Sequence, residues 1–344
     1  MLGLITRCGA ALSLVAALAL PVYAQTDSVS VGIFGATSDA PFFIADKKGY
    51  FRDEGISAKL ERFQSGEMMV APLGTGELDV GAGSASAALN NAVVRGIRIK
   101  IVADKASSPP GYGATKMIIR KDLVENGRFK SLKDIKGMKF AMNAPGVSNT
   151  STLNDALKSV GLKYSDVEVV NFASAMEHVM AMQNKSVDAA LAIEPAPTIA
   201  VRNGSAVVVA GDDEISPYHQ IAVLLYSESF AANRPELAKK FMRAYLRAVR
   251  FYNDALQGGH LAGRNADELI SILAEYAAIK DPAIYRAITP TGMNPDGEVN
   301  VRSLAHDLDF YAEQGLVKKK VDFDDLVDMS YAHAVVKELG PYKK

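Results

Sequence analysis

From about Val29 to Gly211 the chain alternates short β-rich runs with helical apolar patterns, and that alternation restricts the fold more than any other feature. "SVSVGIFG", "ISAKLERF", "LDVGAG" and "IRIKIVAD" read as strands, and "PFFIADKKGYF", "GEMMVAPLGTG" and "SASAALNNAVVRG" between them read as helices. Parallel strands need a long return connection, so this order points to parallel sheet with crossover helices. It resumes after Lys116 with "KMIIR", "KFAMN", "VEVVNF", "VDAALAI" and "AVVVAG". Helices are predicted between these from about Thr150 to Val160, from Ala175 to Asn184, and from Pro195 onward. Two α/β units of comparable plan follow. Beyond "YHQIAVLLYS" the remainder is helical, beginning with Pro235 in the first turn of "PELAKKFMRAYLRAVRFYNDAL" and ending in "FDDLVDMSYAHAVVKEL", read as one helix.

The opening "MLGLITRCGAALSLVAALALPVYAQTDS" has Arg7 before an apolar run from Ala10 to Leu20, then small residues up to Ala24. This is the layout of a secretory signal, and cleavage is predicted after Ala24. A membrane anchor is the alternative, but the run falls short of the ~20 residues that span a bilayer. The only cysteine, Cys8, lies inside that signal, and Gln25 stands where a lipoprotein would carry cysteine. The exported chain is therefore expected to have no disulfide, no thiolate metal site and no cysteine nucleophile. A net charge of -1 makes nucleic acid or an anionic membrane an unexpected partner.

Open α/β sheets bind ligands outside the carboxyl ends of their strands, where helix N-termini point. Here those positions hold Thr37, Ser38 and Asp39, then Ser84, then Ser148, Asn149 and Thr150, then Phe172, and finally Glu194. Each has a plainer reading. "NAPGVSNTSTLNDAL" is either an ordinary helix cap or a helix N-terminus left open for a ligand. Asp39 precedes Pro41 as an N-cap would, Glu194 precedes Pro195 as a first-turn carboxylate would, and Ser84 follows a tight Gly-rich turn. The loop aromatics Tyr112, Phe172 and Tyr218 either stack on a flat solute or cover core edges. His219 reads as structural. No paired-His metal motif, nucleophile elbow, P-loop or three-Gly dinucleotide fingerprint is present, so neither metal, cofactor nor catalysis is expected.

Four segments carry a resemblance. "APFFIADKKGYFRDEGI", "LGTGELDVGAGSASA", "SLKDIKGMKFAMNAPGVSNT" and "VDAALAIEPAPTIA" are similar, in the same order, to signatures of periplasmic solute-binding proteins of the nitrate, sulfonate, taurine and thiamine-precursor group. The resemblance implies a type II-like two-lobed fold, each lobe a mostly parallel sheet flanked by helices, with a cleft between lobes and a helical C-terminal part packed on lobe 1. It further implies a monomeric periplasmic component of an ABC importer that hands a small-molecule solute to an inner-membrane permease. The expected division is signal 1–24, first part of lobe 1 at 25–116, lobe 2 at 117–217, and return to lobe 1 with the C-terminal helices at 218–344, the chain crossing near Ala114 to Met117 and Ser216 to Ile221. A sensor subunit of a signalling complex is an alternative. A thiamine-pyrimidine synthase of this fold is disfavoured, because its relatives carry a cysteine-rich segment.

No Arg or Lys is expected at the strand ends, whereas the carboxylates Asp39 and Glu194 are. A buried carboxylate facing an anion is costly. The expected solute is accordingly a heterocycle or aromatic acid with an N–H or O–H for Glu194, and a sulfonate or similar oxyanion ranks second. The resemblance places Glu194 in the cleft.

Overall fold

The computed structural model describes residues 26–344, so the signal segment, its cut after Ala24 and Cys8 lie outside the described residues. Two five-stranded sheets organise the chain. The first has the order β2-β1-β3-β10-β4, built from β1 (Asp27–Ile33), β2 (Ile56–Arg62), β3 (Val80–Gly83), β4 (Ile99–Ser107) and β10 (Gln220–Ser227). The second has the order β7-β6-β8-β5-β9, from β5 (Thr115–Arg120), β6 (Lys139–Met142), β7 (Glu168–Asn171), β8 (Ala189–Ile193) and β9 (Ala206–Gly211). In each sheet a single strand runs against its neighbours: β10 pairs antiparallel with β3 and β4, and β5 with β8 and β9. These are the strands that the chain enters just after crossing from one sheet to the other. The first crossing lies between Ser107 and Thr115, the second between Gly211 and Gln220.

Both sheets are covered on two faces, which is why their central strands are apolar throughout rather than alternating. The helix Pro235–Asp254 lays Leu237, Phe241, Tyr245, Val249 and Tyr252 on one face of the first sheet, together with Phe42 and Phe43 of the helix Ala40–Lys47. The opposite face is covered by Leu304, Leu308 and Tyr311 of the helix Val301–Glu313. The C-terminal helices thus complete the first lobe, and the second lobe closes its own smaller cores around Phe140, Leu153, Leu157 and Leu191 and around Val179, Met182 and Ala190.

The final helical segment departs from expectation. It breaks into Phe323–Leu326 and Ser330–Leu339, with Val327 extended and bridged in parallel to Ile101 of β4. β4 is the edge of the first sheet, and an edge strand left unpaired invites aggregation. A helical pattern is overridden there by a backbone contact that blunts the edge.

Candidate functional site

A cavity of about 890 Å³ lies between the two sheets. It is lined where the parallel strands end: after β1 by Phe34 to Ser38, after β3 by Ser84, after β6 by Asn143, Ala144 and Val147 to Asn149, after β7 by Phe172 to Glu177, and after β8 by Glu194. The antiparallel strands contribute their beginnings, Thr115 of β5 and Ile221 and Ala222 of β10. Four helices start against it, namely Glu67–Thr75, Ser148–Ser159, Ala175–Gln183 and Ala196–Arg202.

Three of these helix N-termini already face a carboxylate. Glu67 stands in the first turn of its own helix. Glu177 accepts from the Ala173 amide at 3.1 Å and the Ser174 hydroxyl at 3.2 Å. Glu194 accepts from the Thr198 amide at 3.1 Å and the Thr198 hydroxyl at 3.0 Å, and its burial outweighs those bonds, so that its pKa is raised above the ordinary carboxylate value. The helix Ser148–Ser159 differs: its N-cap is Val147, no side chain caps it, and no acid stands in its first turn. Its partial positive end is the one that remains uncompensated.

The residues around that end join the lobes. The Ser84 hydroxyl donates to the Ile221 carbonyl at 3.1 Å, while its oxygen lies 3.1 Å from the Ser148 hydroxyl and 3.4 Å from the Ser148 amide. The Ala87 amide donates to the Gly146 carbonyl at 2.8 Å, and the Thr37 hydroxyl to the Glu194 carbonyl at 3.3 Å. Asn149 donates through Nδ2 to Asn143 Oδ1 at 3.2 Å and to the Leu191 carbonyl at 3.4 Å. Since the Leu191 partner is a pure acceptor, the amide orientation is determined and Oδ1 is left buried without a partner.

Thr37, Ser38, Ser84, Ser148, Asn149, Phe172 and Glu194 therefore line the cavity, whereas Asp39, Thr150 and Tyr112 do not. Asp39 is wholly buried, with Oδ1 2.9 Å from Lys105 Nζ and Oδ2 accepting the Phe34 and Ala36 amides at 2.8 and 3.1 Å. Thr150 turns its hydroxyl back to the Val147 carbonyl at 2.7 Å, a local bond that takes it out of reach. Tyr112 packs against the first-lobe core and bonds its amide to the Pro109 carbonyl at 2.9 Å, while Tyr218 lies 60% exposed on the surface. His219 is structural: Nδ1 lies 3.1 Å from the Thr152 hydroxyl and Nε2 2.9 Å from Asp307.

Two cations that the sequence reading missed line the cavity. Arg62, the last residue of β2, is exposed and donates to the Tyr276 carbonyl at 2.5 Å. Lys105 sits within β4, its ammonium closed to water, neutralised by Asp39 and bonded to the Ser38 hydroxyl at 3.0 Å. The expectation that strand ends carry only carboxylates is thus corrected. Asp39 is cancelled by Lys105, Glu194 is engaged by Thr198, and the lobe 1 wall carries both Arg62 and Glu67, neither of them in an ion pair among the described residues. A basic residue closing a strand was the available signal for Arg62; nothing local signals Lys105.

Residues 23–270 match the NMT1-like family, and the chain belongs to it. It is 26% identical over 326 residues to a Bacillus subtilis protein named for binding aliphatic sulfonates, covering 91% of this chain and 90% of the other. To the taurine-binding periplasmic protein of Escherichia coli it is 25% identical over 245 residues, 70% of this chain and 71% of the other. The crystal structure of the periplasmic aliphatic sulphonate binding protein SsuA from Escherichia coli superposes with a TM-score of 0.68 at 20% identity, over 87% of this chain and 91% of that one. The fold is that of periplasmic binding proteins. Among the described residues no helix is long and apolar enough to cross a membrane.

Proposed function

We propose that this protein is the periplasmic solute-binding component of an ABC importer, which closes two lobes over a small organic acid and presents the closed form to a membrane permease. The observation that carries this reading is the helix N-terminus of Ser148–Ser159, which alone of the four described at the cavity has no carboxylate on it and opens there with Ser84, Ser148 and Asn149 around it. A helix end of this kind favours an anion by ~0.3 to 1 kcal/mol through its dipole, and more when amides bond it directly. Arg62 adds a positive charge to the same cavity, set against Glu67 and Glu177, which keep to their own helix starts. The relatives named for sulfonates and taurine support an acidic solute.

The proposed lobes are 25–116 with 218–344 and 117–217, with the first boundary moved ahead of Thr115 so that all of β5 falls in the second, and the protein acts as a monomer. Thr37, Ser38 and Ser84 then belong to one lobe and Ser148, Asn149, Phe172 and Glu194 to the other. A solute touching both sets favours the closed arrangement by whatever it gains in that form. The buried, unpaired Asn149 Oδ1 takes over the acceptor role first assigned to Glu194, and a solute N–H or O–H would satisfy it.

Thermal unfolding of the purified protein against a panel of sulfonates, carboxylates and heterocyclic acids tests the reading. A solute at 100 times its dissociation constant adds ~2.7 kcal/mol of stability. The bound solute should be recovered chemically unchanged by mass spectrometry. Absence of stabilisation by every acid, or conversion of the solute to a product, overturns it.

A further inference from the structure

One methionine from each lobe lines the cavity yet stays in water: Met68 is 55% exposed and Met176 is 37% exposed. Each is the second residue of a helix that starts at the cavity, Glu67–Thr75 in one lobe and Ala175–Gln183 in the other. Neither is needed by the core, because Met69 and Met182 of the same helices are fully buried in it. With Phe34 and Phe172, Met68 and Met176 give the cavity wall apolar surface of the kind that receives an apolar group.

The rest of the wall agrees. Phe34 lines the cavity on the first lobe, its Cζ against the bare backbone of Gly66 and Gly83, where an added Cβ would meet it at 3.7 and 3.6 Å. Phe172 lines it on the second lobe and meets the buried His178 ring edge-on at 5.9 Å. Hydroxyl and amide groups from both lobes meet around Ser84, Ser148 and Asn149, while Glu67 and Glu177 flank the two methionines. A volume of about 890 Å³ is in the range of sites for ring-bearing ligands and exceeds what a nitrate or a two-carbon sulfonate fills.

We infer that Met68 and Met176 are specificity-determining residues that close over the ring of an aromatic acid whose acid group sits at the start of the helix Ser148–Ser159. This rests on the solute-binding reading above and adds the body of the solute to it. The thioether is flexible and polarisable, so two such side chains fit a flat ring without a preformed slot, and sulfur–ring contacts are favourable in themselves.

Calorimetry on the purified full chain with benzenesulfonate and benzoate, against ethanesulfonate, taurine and nitrate, supplies the test. The aryl acids should bind more tightly than the small ones. Met68→Ser and Met176→Ser should each weaken aryl-acid binding, up to roughly tenfold, while leaving ethanesulfonate within about twofold. Their unliganded melting temperatures should match the parent, since both side chains are exposed. Met180→Ser, changed at an exposed residue of the same helix outside the cavity lining, should leave aryl-acid binding unaltered. Binding of small acids alone, or aryl-acid binding indifferent to both substitutions, overturns this inference and leaves the solute-binding reading standing. Failure of every acid in the set overturns both.

Discussion

Lys105 Nζ lies 2.9 Å from Asp39 Oδ1 with neither side chain exposed to water, so a complete ion pair is enclosed under the turn that opens the cavity. The lysine also bonds Ser38 and sits 5.4 Å from the centre of the Phe34 ring, while Asp39 holds the Phe34 and Ala36 amides. Removing one partner leaves an uncompensated buried charge. Asp39→Asn and Lys105→Met should therefore each cost about 3 to 5 kcal/mol, whereas the double variant should recover a large part of that loss. Denaturant unfolding of the three variants checks it; a double variant as unstable as the sum of the singles would show that the pair does not act as a unit.

Asn149 and Glu194 both line the cavity, but only Glu194 is committed to capping. Asn149→Ala is expected to weaken solute binding by roughly 0.5 to 1.5 kcal/mol with little loss of stability. Glu194→Gln keeps the shape and removes a buried charge whose desolvation outweighs its bonds to Thr198, so it should not lower stability at pH 8 and should leave affinity unchanged. Paired calorimetry and thermal unfolding separate the two effects, and an affinity loss in Glu194→Gln alone would return the carboxylate to the solute.

Asp212, at the second crossing, is buried with neither carboxylate oxygen hydrogen-bonded. Burial is the main cause that pushes its pKa up to about 7, offset in part by His219. A carboxylate whose folded pKa is raised stabilises the fold while protonated, and that contribution falls as pH rises from about 4 through 7. Asp212→Asn should accordingly be more stable than the parent at pH 8, by a few kcal/mol at ~1.4 per pKa unit, with the gap closing towards pH 4. Stability measured across that range decides; a constant gap would mean that the carboxyl does not titrate as described.

Burial alone would lower the pKa of His219, but Asp307, with Asp212 and Asp155 further off, outweighs it and holds the imidazolium above its ordinary value. Its contribution is complete below ~6.5 and is lost as pH rises through the raised value. His219→Gln should thus cost more stability at pH 6 than at pH 9. Equal cost at both would point to packing against Thr152 rather than charge.

The alternation of strand and helix patterns was enough to determine two α/β units, because each unit's periodicity is set locally by which faces must be buried. The strand-end positions followed from the same logic. Parallel strands in one sheet end on one side, so Thr37, Ser38, Ser84, Ser148, Asn149, Phe172 and Glu194 reach a common cavity although they are far apart in the chain. What the sequence left undetermined is everything that depends on a partner brought in by the fold. Asp39 was a plausible ligand contact until Lys105, a neighbour only through packing, cancelled its charge. Glu194 and Thr150 were both expected to touch the solute, but which neighbour claims their oxygens is a matter of side-chain geometry, and the Thr150 hydroxyl turns back to the Val147 carbonyl. Val327 leaves a helical pattern because the edge of β4 offers the next residue a bond that no local propensity contains, from the Asp328 amide to the Ile101 carbonyl. Exposure of Met68 beside buried Met69 is likewise invisible in "GEMMV", since adjacent residues on a helix point about 100° apart and only the surrounding lobes decide which one meets water.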